Sequence, residues 1–175
     1  MKNKIILILS LLLVMTGCIQ SSKNVFNQEQ FDQLVEAVKV EYGEDYYPSF
    51  VYEDDYIENV LLINPEHLNA YYAEGPLFTM GVDLFILVHV KNEYFEQVYA
   101  AMQEYHRFLK EDSFQYPMNS YKVSASKLIT KGNYIALVLL APYMEIDEDT
   151  EESDIITFYD REVNRGVDVL LQLIP

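Results

Sequence analysis

Tyr121-Lys122-Val123-Ser124-Ala125-Ser126-Lys127-Leu128-Ile129-Thr130-Lys131-Gly132-Asn133-Tyr134-Ile135-Ala136-Leu137-Val138-Leu139-Leu140-Ala141 is the stretch that decides how this chain is read. Two runs rich in aliphatic and β-branched residues flank Thr130-Lys131-Gly132-Asn133. A glycine-containing connection between such runs is a hairpin signal. Residues 121–129 and 134–141 are therefore expected as antiparallel strands. The second holds Ile135-Ala136-Leu137-Val138-Leu139-Leu140 without a polar side chain, so it belongs in the interior of a sheet.

Upstream the same arrangement recurs. Ala70-Tyr71-Tyr72-Ala73-Glu74 reads as a strand broken by Gly75-Pro76, and Val82-Asp83-Leu84-Phe85-Ile86-Leu87-Val88-His89-Val90 reads as a central one. Its nearly unbroken apolar run implies cover on both faces, or on one face plus strand neighbours. Between the two strand pairs the pattern turns helical. Asn92 caps, Glu93 and Glu96 stand at the positive end of the dipole, Arg107 and Lys110 stand at the negative end, and Phe95, Val98, Tyr99, Met102, Tyr105 and Leu109 form the buried stripe. Pro117 ends the connection.

Two further helices bracket this core. The first has Asn27 as N-cap with Gln30 three residues on, a staple of Phe26 and Phe31, a stripe of Phe31, Leu34, Val35, Val38 and Tyr42, and Gly43 at its end. The last is expected over 151–173, capped by Thr150 or Ser153, with Ile156, Tyr159, Val163, Val167, Leu170 and Ile174 on one face. Gly166 lies on that face and permits close approach, at ~1 kcal/mol relative to Ala. Residues 44–69 are mostly loop, with a short helix over 56–63 capped by Asp54 or Asp55 and a single turn opened by Asn64-Pro65.

The order after the first helix is strand, strand, helix, strand, strand, helix. That favours an α+β domain: a mostly antiparallel four-stranded sheet with helices packed on one face. A doubly wound α/β fold, which needs single strands between helices, ranks second.

The N-terminus carries an address. Lys2 and Lys4 precede eleven mostly apolar residues, and Met15-Thr16-Gly17 leads into Cys18, the only cysteine. Eleven residues are too few to cross a bilayer, which takes about 20. The ending resembles a bacterial lipobox, whose cysteine receives a diacylglyceryl group. Residues 1–17 are thus expected as a lipoprotein signal peptide, 18–25 as the lipidated cysteine and a short tether, and 26–175 as one domain. The expected place is the extracytoplasmic face of the cell membrane, held there through the lipid on Cys18. Two acyl chains are enough for a stable anchor where one is marginal.

Charge narrows the partners. The chain holds 12 basic and 28 acidic residues, a formal charge of −16 that becomes −18 once Lys2 and Lys4 are removed. Such a charge repels phosphate backbones and argues against nucleic acid as a partner. No Gly-x-Ser-x-Gly, His-Glu-x-x-His or phosphate-loop motif occurs, and the lone thiol is assigned to the lipid. His67, His89 and His106 read as structural or surface histidines. Paired carboxylates are the catalytic class that so acidic a composition leaves open.

Two clusters remain. Glu145-Ile146-Asp147-Glu148-Asp149-Thr150-Glu151-Glu152-Ser153-Asp154 puts seven carboxylates in ten residues but lacks the glycine and spacing of an EF-hand loop. Weak cation attraction at Asp147, Asp149 and Glu151 is expected, without a specific metal site. The other cluster is aromatic: Tyr42, Tyr46, Tyr47, Tyr52, Tyr56, Tyr71 and Tyr72. Phenol rings offer an apolar face and a polar tip, so Tyr46, Tyr47, Tyr52 and Tyr56 are the candidate binding residues for an envelope protein or a glycan.

Ile63-Asn64-Pro65-Glu66, the acidic head of Asp83-Leu84-Phe85-Ile86-Leu87-Val88, Tyr116-Pro117, and Gly132-Asn133-Tyr134 together resemble a Gram-positive bacterial lipoprotein family catalogued as a domain of unknown function, DUF4358. The resemblance spans roughly residues 28–141. Gly75-Pro76-Leu77-Phe78-Thr79-Met80-Gly81 departs from it, replacing a small Ser/Gly-rich turn. It implies no catalytic residue and no cofactor besides the lipid. The expectation is a non-catalytic binding or accessory module of the cell envelope. A carboxylate-dependent envelope hydrolase and a structural partner in a membrane complex are the alternatives.

Overall fold

The computed structural model describes residues 26–77 and 81–175. The expected leader, the tether and Cys18 lie outside the described residues. Helix α1, Gln28–Tyr42, is built as its sequence demands. Asn27 Oδ1 accepts from the Gln30 amide at 3.3 Å, the Phe26 and Phe31 rings stand 6.3 Å apart, and Phe31, Leu34, Val35, Val38 and Tyr42 are all buried. Gly43, at φ 54°, closes it.

There follow β1 (Phe50–Val51), α2 (Asp54–Asn59), β2 (Leu68–Gly75), β3 (Leu84–Val90), α3 (Phe95–Arg107), α4 (Ser120–Ala125), β4 (Lys127–Lys131), β5 (Tyr134–Leu139) and α5 (Glu152–Leu173). The strands form one antiparallel sheet in the order β1-β2-β3-β5-β4. It has five strands rather than four. The extra one is β1, whose Phe50 and Val51 sit opposite Gly75 and Glu74; two residues are too few to show an alternating pattern.

Helices cover both faces, not one. Phe85 and Leu87 of β3 and Tyr134, Ala136 and Val138 of β5 meet α1 and α5. The alternate residues Ile86, Val88, Val90, Ile135, Leu137 and Leu139 meet Ile57 of α2, Leu61, and Val98 and Met102 of α3. Because successive strand side chains point to opposite faces, a run apolar at every position has to be covered twice.

Several local expectations fail. The segment 121–129 divides: Ser120–Ala125 is helical and β4 begins only at Lys127, since so short a mixed run carries no period that separates helix from strand. Helix α5 buries Ile155 and exposes Ile156, and neither Thr150 nor Ser153 caps it. Its N-cap is Glu151, while Thr150 Oγ1 donates to Asp147 Oδ1 at 2.6 Å within the preceding turn. Likewise Asn92 opens a 3-10 turn, Asn92–Tyr94, ahead of α3, and α2 starts at Asp54 behind Glu53 without a side-chain cap. Gly166 behaves as its position suggested. Tyr42 Oη donates to the Glu162 carbonyl at 2.8 Å and accepts from the Gly166 amide at 3.1 Å, and a β-carbon at 166 would stand 3.0 Å from that ring.

Candidate functional site

At the end of the sheet where β2 leaves and β3 enters, residues 43–53 pass from the α1 face to the α2 face. Tyr46 stays on the α1 side, where its hydroxyl donates to Glu74 Oε2 at 2.7 Å. Tyr72 Oη donates to the same oxygen, and Lys39 Nζ lies 2.8 Å from it. The Lys39 ammonium also sits 5.3 and 5.0 Å from the centroids of the Tyr46 and Tyr72 rings. Glu74 is 7% exposed. Burial pushes its carboxyl up, but the Lys39, Tyr72 and Tyr46 donors outweigh that and hold it below the ordinary value. Burial first, then Glu74, drives the Tyr46 phenol far up, so it is a permanent donor.

The second node lies just before β3. Lys122, on α4, is fully buried, with Nζ 2.7 Å from Asp83, itself 2% exposed. Asp83 Oδ1 also accepts from the Ala141 amide at 3.4 Å, tying the entry of β3 to the exit of β5. Two rings lie over the ammonium, Tyr143 at 4.4 Å and Tyr47 at 5.5 Å, and stand 5.9 Å from each other. Their outer surfaces face solvent: Tyr47 is 42% exposed and Tyr143 48%. Burial raises the Asp83 carboxyl against the pull of Lys122, and burial lowers Lys122 against the pull of Asp83. The pair therefore stays ionised only because each partner is present.

Tyr52 and Tyr56 belong to the other face. Their rings stack at 4.0 Å and 9°, Tyr56 Oη is 2.7 Å from Tyr105 Oη on α3, and Tyr52 lies against the bare α-carbon of Gly75, where a β-carbon would be 2.6 Å from its hydroxyl. These rings seal the α2–α3 core. The four tyrosines singled out from the sequence are thus not one surface: Tyr46, Tyr52 and Tyr56 are committed inside, and Tyr47 alone is presented. Its companion is Tyr143, which lies far along the chain. The Asp83–Lys122 pair escaped the sequence reading because Lys122 was placed on a strand; the available signal was one acid heading an otherwise apolar run.

Asp147 Oδ1 is occupied by Thr150 Oγ1 and by the Asp149 amide at 3.2 Å, which makes a turn of that segment. Among the described residues no group of three or more His, Cys, Asp or Glu side chains could hold a metal ion. His106 Nε2 lies 2.9 Å from Ser126 Oγ, yet that hydroxyl gives its proton to the Val123 carbonyl at 2.6 Å. The imidazole must then donate, which is the reverse of a base activating a serine. No described helix is long and apolar enough to cross a membrane.

A family model described as Domain of unknown function (DUF4358) matches residues 43–140, more than half of the chain. That span contains both carboxylates, Lys122, Tyr46, Tyr47 and Tyr72, and stops short of Lys39 on one side and of Ala141 and Tyr143 on the other. No curated protein and no solved structure matches the chain.

Proposed function

The chain belongs to the DUF4358 family, and on that premise we propose that it is a lipoprotein of the cell envelope, anchored through Cys18 to the extracytoplasmic face of the membrane and acting as a non-catalytic binding or accessory module. The observation that carries this reading is the placement of the only thiol, at the end of an eleven-residue apolar run behind Lys2 and Lys4, in Thr16-Gly17-Cys18. Binding, rather than turnover, is supported by what the polar groups do. Asp83, Lys122, Glu74 and Tyr46 are each spent on one another, while Tyr47 and Tyr143 present half-exposed rings over a sealed ion pair. Aromatic rings of this kind suit a protein or glycan partner.

Replacing Cys18 tests the anchor. Cys18→Ala is expected to abolish palmitate labelling and leave an unprocessed precursor, and continued labelling overturns the assignment. Hydrolysis of cell-wall glycan by purified protein, abolished by a single Asp or Glu substitution, would replace the binding role with the hydrolase alternative.

A further inference from the structure

At the opposite end of the sheet from Asp83, beside Phe26 where the described chain begins, lies a cavity of about 260 Å³. Among its lining side chains are His89, Lys91, Asn92 and Glu93. We propose that it is a binding site for the phosphate group of a small molecule or a lipid headgroup, with His89 Nε2, Lys91 Nζ and the Asn92 amide as donors.

His89 carries the argument. It is 7% exposed, held between the Phe26 ring at 4.8 Å and the Tyr134 ring at 4.5 Å. The Asn69 side-chain amide donates to its Nδ1 at 3.0 Å, which puts the ring proton on Nε2. That N–H has no hydrogen-bond partner among the described residues, and the ring lines the cavity. From a ring otherwise buried, this donor opens onto the cavity, so a water or ligand oxygen entering there is its available acceptor. Burial also holds His89 below its ordinary pKa, so it meets a ligand as a neutral donor.

The neighbours agree with an oxyanion. Lys91 donates to the Glu66 carbonyl at 2.5 Å and makes no ion pair with any described carboxylate, in a chain with more than twice as many acids as bases. Two of its three N–H groups remain for a ligand. Asn92 Oδ1 accepts from Asn133 Nδ2, which leaves the Asn92 amide nitrogen as a donor. Donors from three separate residues suit the several oxygens of a phosphate better than a single planar carboxylate. Glu93, the one acid of the lining, opposes the ligand and sets its affinity from the rim. The site stands on these residues whether or not Cys18 is lipidated; only a lipid source rests on the anchor, which would hold this end of the sheet toward the bilayer.

The test is a titration of the full chain in dodecyl maltoside micelles with inorganic phosphate and with glycerol phosphate, read by NMR from the ring nitrogens of His89 and, where His89 is replaced, from the Asn92 backbone amide. The expected result is an Nε2–H ring whose Nε2 resonance moves with phosphate. Lys91→Gln and His89→Phe are each expected to weaken binding about tenfold, the loss of one charge-assisted or buried hydrogen bond, and Glu93→Gln to tighten it. A ring insensitive to phosphate, or affinity unchanged in both Lys91→Gln and His89→Phe, overturns the site. Lys91 is on the surface, so its variant reads binding even if the His89 variant unfolds. Adding phosphatidylglycerol to the micelles separates the sources: a His89 response to it without soluble phosphate assigns a lipid headgroup, and a response to phosphate and glycerol phosphate but not to phosphatidylglycerol assigns a soluble ligand. A response that persists in Cys18→Ala keeps the site even if the anchor fails.

Discussion

Glu74 and Asp83 are two buried carboxylates at the same end of one sheet, each with a lysine and two tyrosines, and they are held in opposite directions. At Glu74 both phenols donate to the carboxylate and Lys39 completes the set, so the acid falls below its ordinary value. At Asp83 the tyrosines cover the lysine instead, the carboxylate receives Lys122 and, from the backbone, the Ala141 amide and its own, and burial wins. The same residue types therefore make a stabilised anion in one place and a strained one in the other. What differs is depth and the kind of donor: Asp83 lies deeper and has an ammonium with backbone amides, where Glu74 has an ammonium and two phenols.

The sharpest way to break that comparison is at Lys122. Removing it as Lys122→Met leaves Asp83 as an uncompensated buried charge and is expected to cost about 3–5 kcal/mol in urea unfolding. Because burial opposes ionisation of both partners, the double replacement Asp83→Leu with Lys122→Met should recover most of that loss. A single variant as stable as the parent would show that the pair does not brace the sheet end.

Next in size is Tyr46→Phe, which takes one of three donors from Glu74. A hydrogen bond to a charged group is worth about 1.5 kcal/mol. The sign follows from linkage. Glu74 is depressed in the folded protein, so its contribution is fully present above the ordinary value of 4.5 and is lost as pH falls through the lower folded value. Tyr46→Phe brings the two values together. Stability at neutral pH should drop, and the acid limb of stability against pH should become shallower. An unchanged acid limb would mean that the Tyr46 hydroxyl does not hold Glu74 down.

How far the sequence announces these nodes differs by residue. The stripe of α1 and the apolar runs of β3 and β5 are written in local order, and so was the antiparallel pairing through Gly132. The fifth strand and the second helical layer were not, because β1 is two residues long and because a strand covered twice reads like one that is merely central. Of the candidate site, the tyrosine-rich segment was visible as a concentration of one residue type. Which ring faces solvent is decided by partners 28 residues away at Glu74, 49 away at Tyr105 and across the sheet at Lys122, and spacing along the chain carries none of that.

The smallest stability effect tests the function most directly. Tyr47 is 42% exposed, and its contact with the Lys122 ammonium at 5.5 Å is long, so Tyr47→Ala should cost no more than about 1 kcal/mol. Tyr46→Phe, larger in stability, leaves the outer surface untouched. The two variants therefore pull apart a ring that binds from a ring that braces. If the sheet end is a docking surface, crosslinking from intact cells should lose its partner in a Tyr47→Ala, Tyr143→Ala variant and keep it in Tyr46→Phe. Loss that instead follows unfolding stability, greatest in Lys122→Met and present in Tyr46→Phe, would mean that the exposed rings are only a lid over the buried pair.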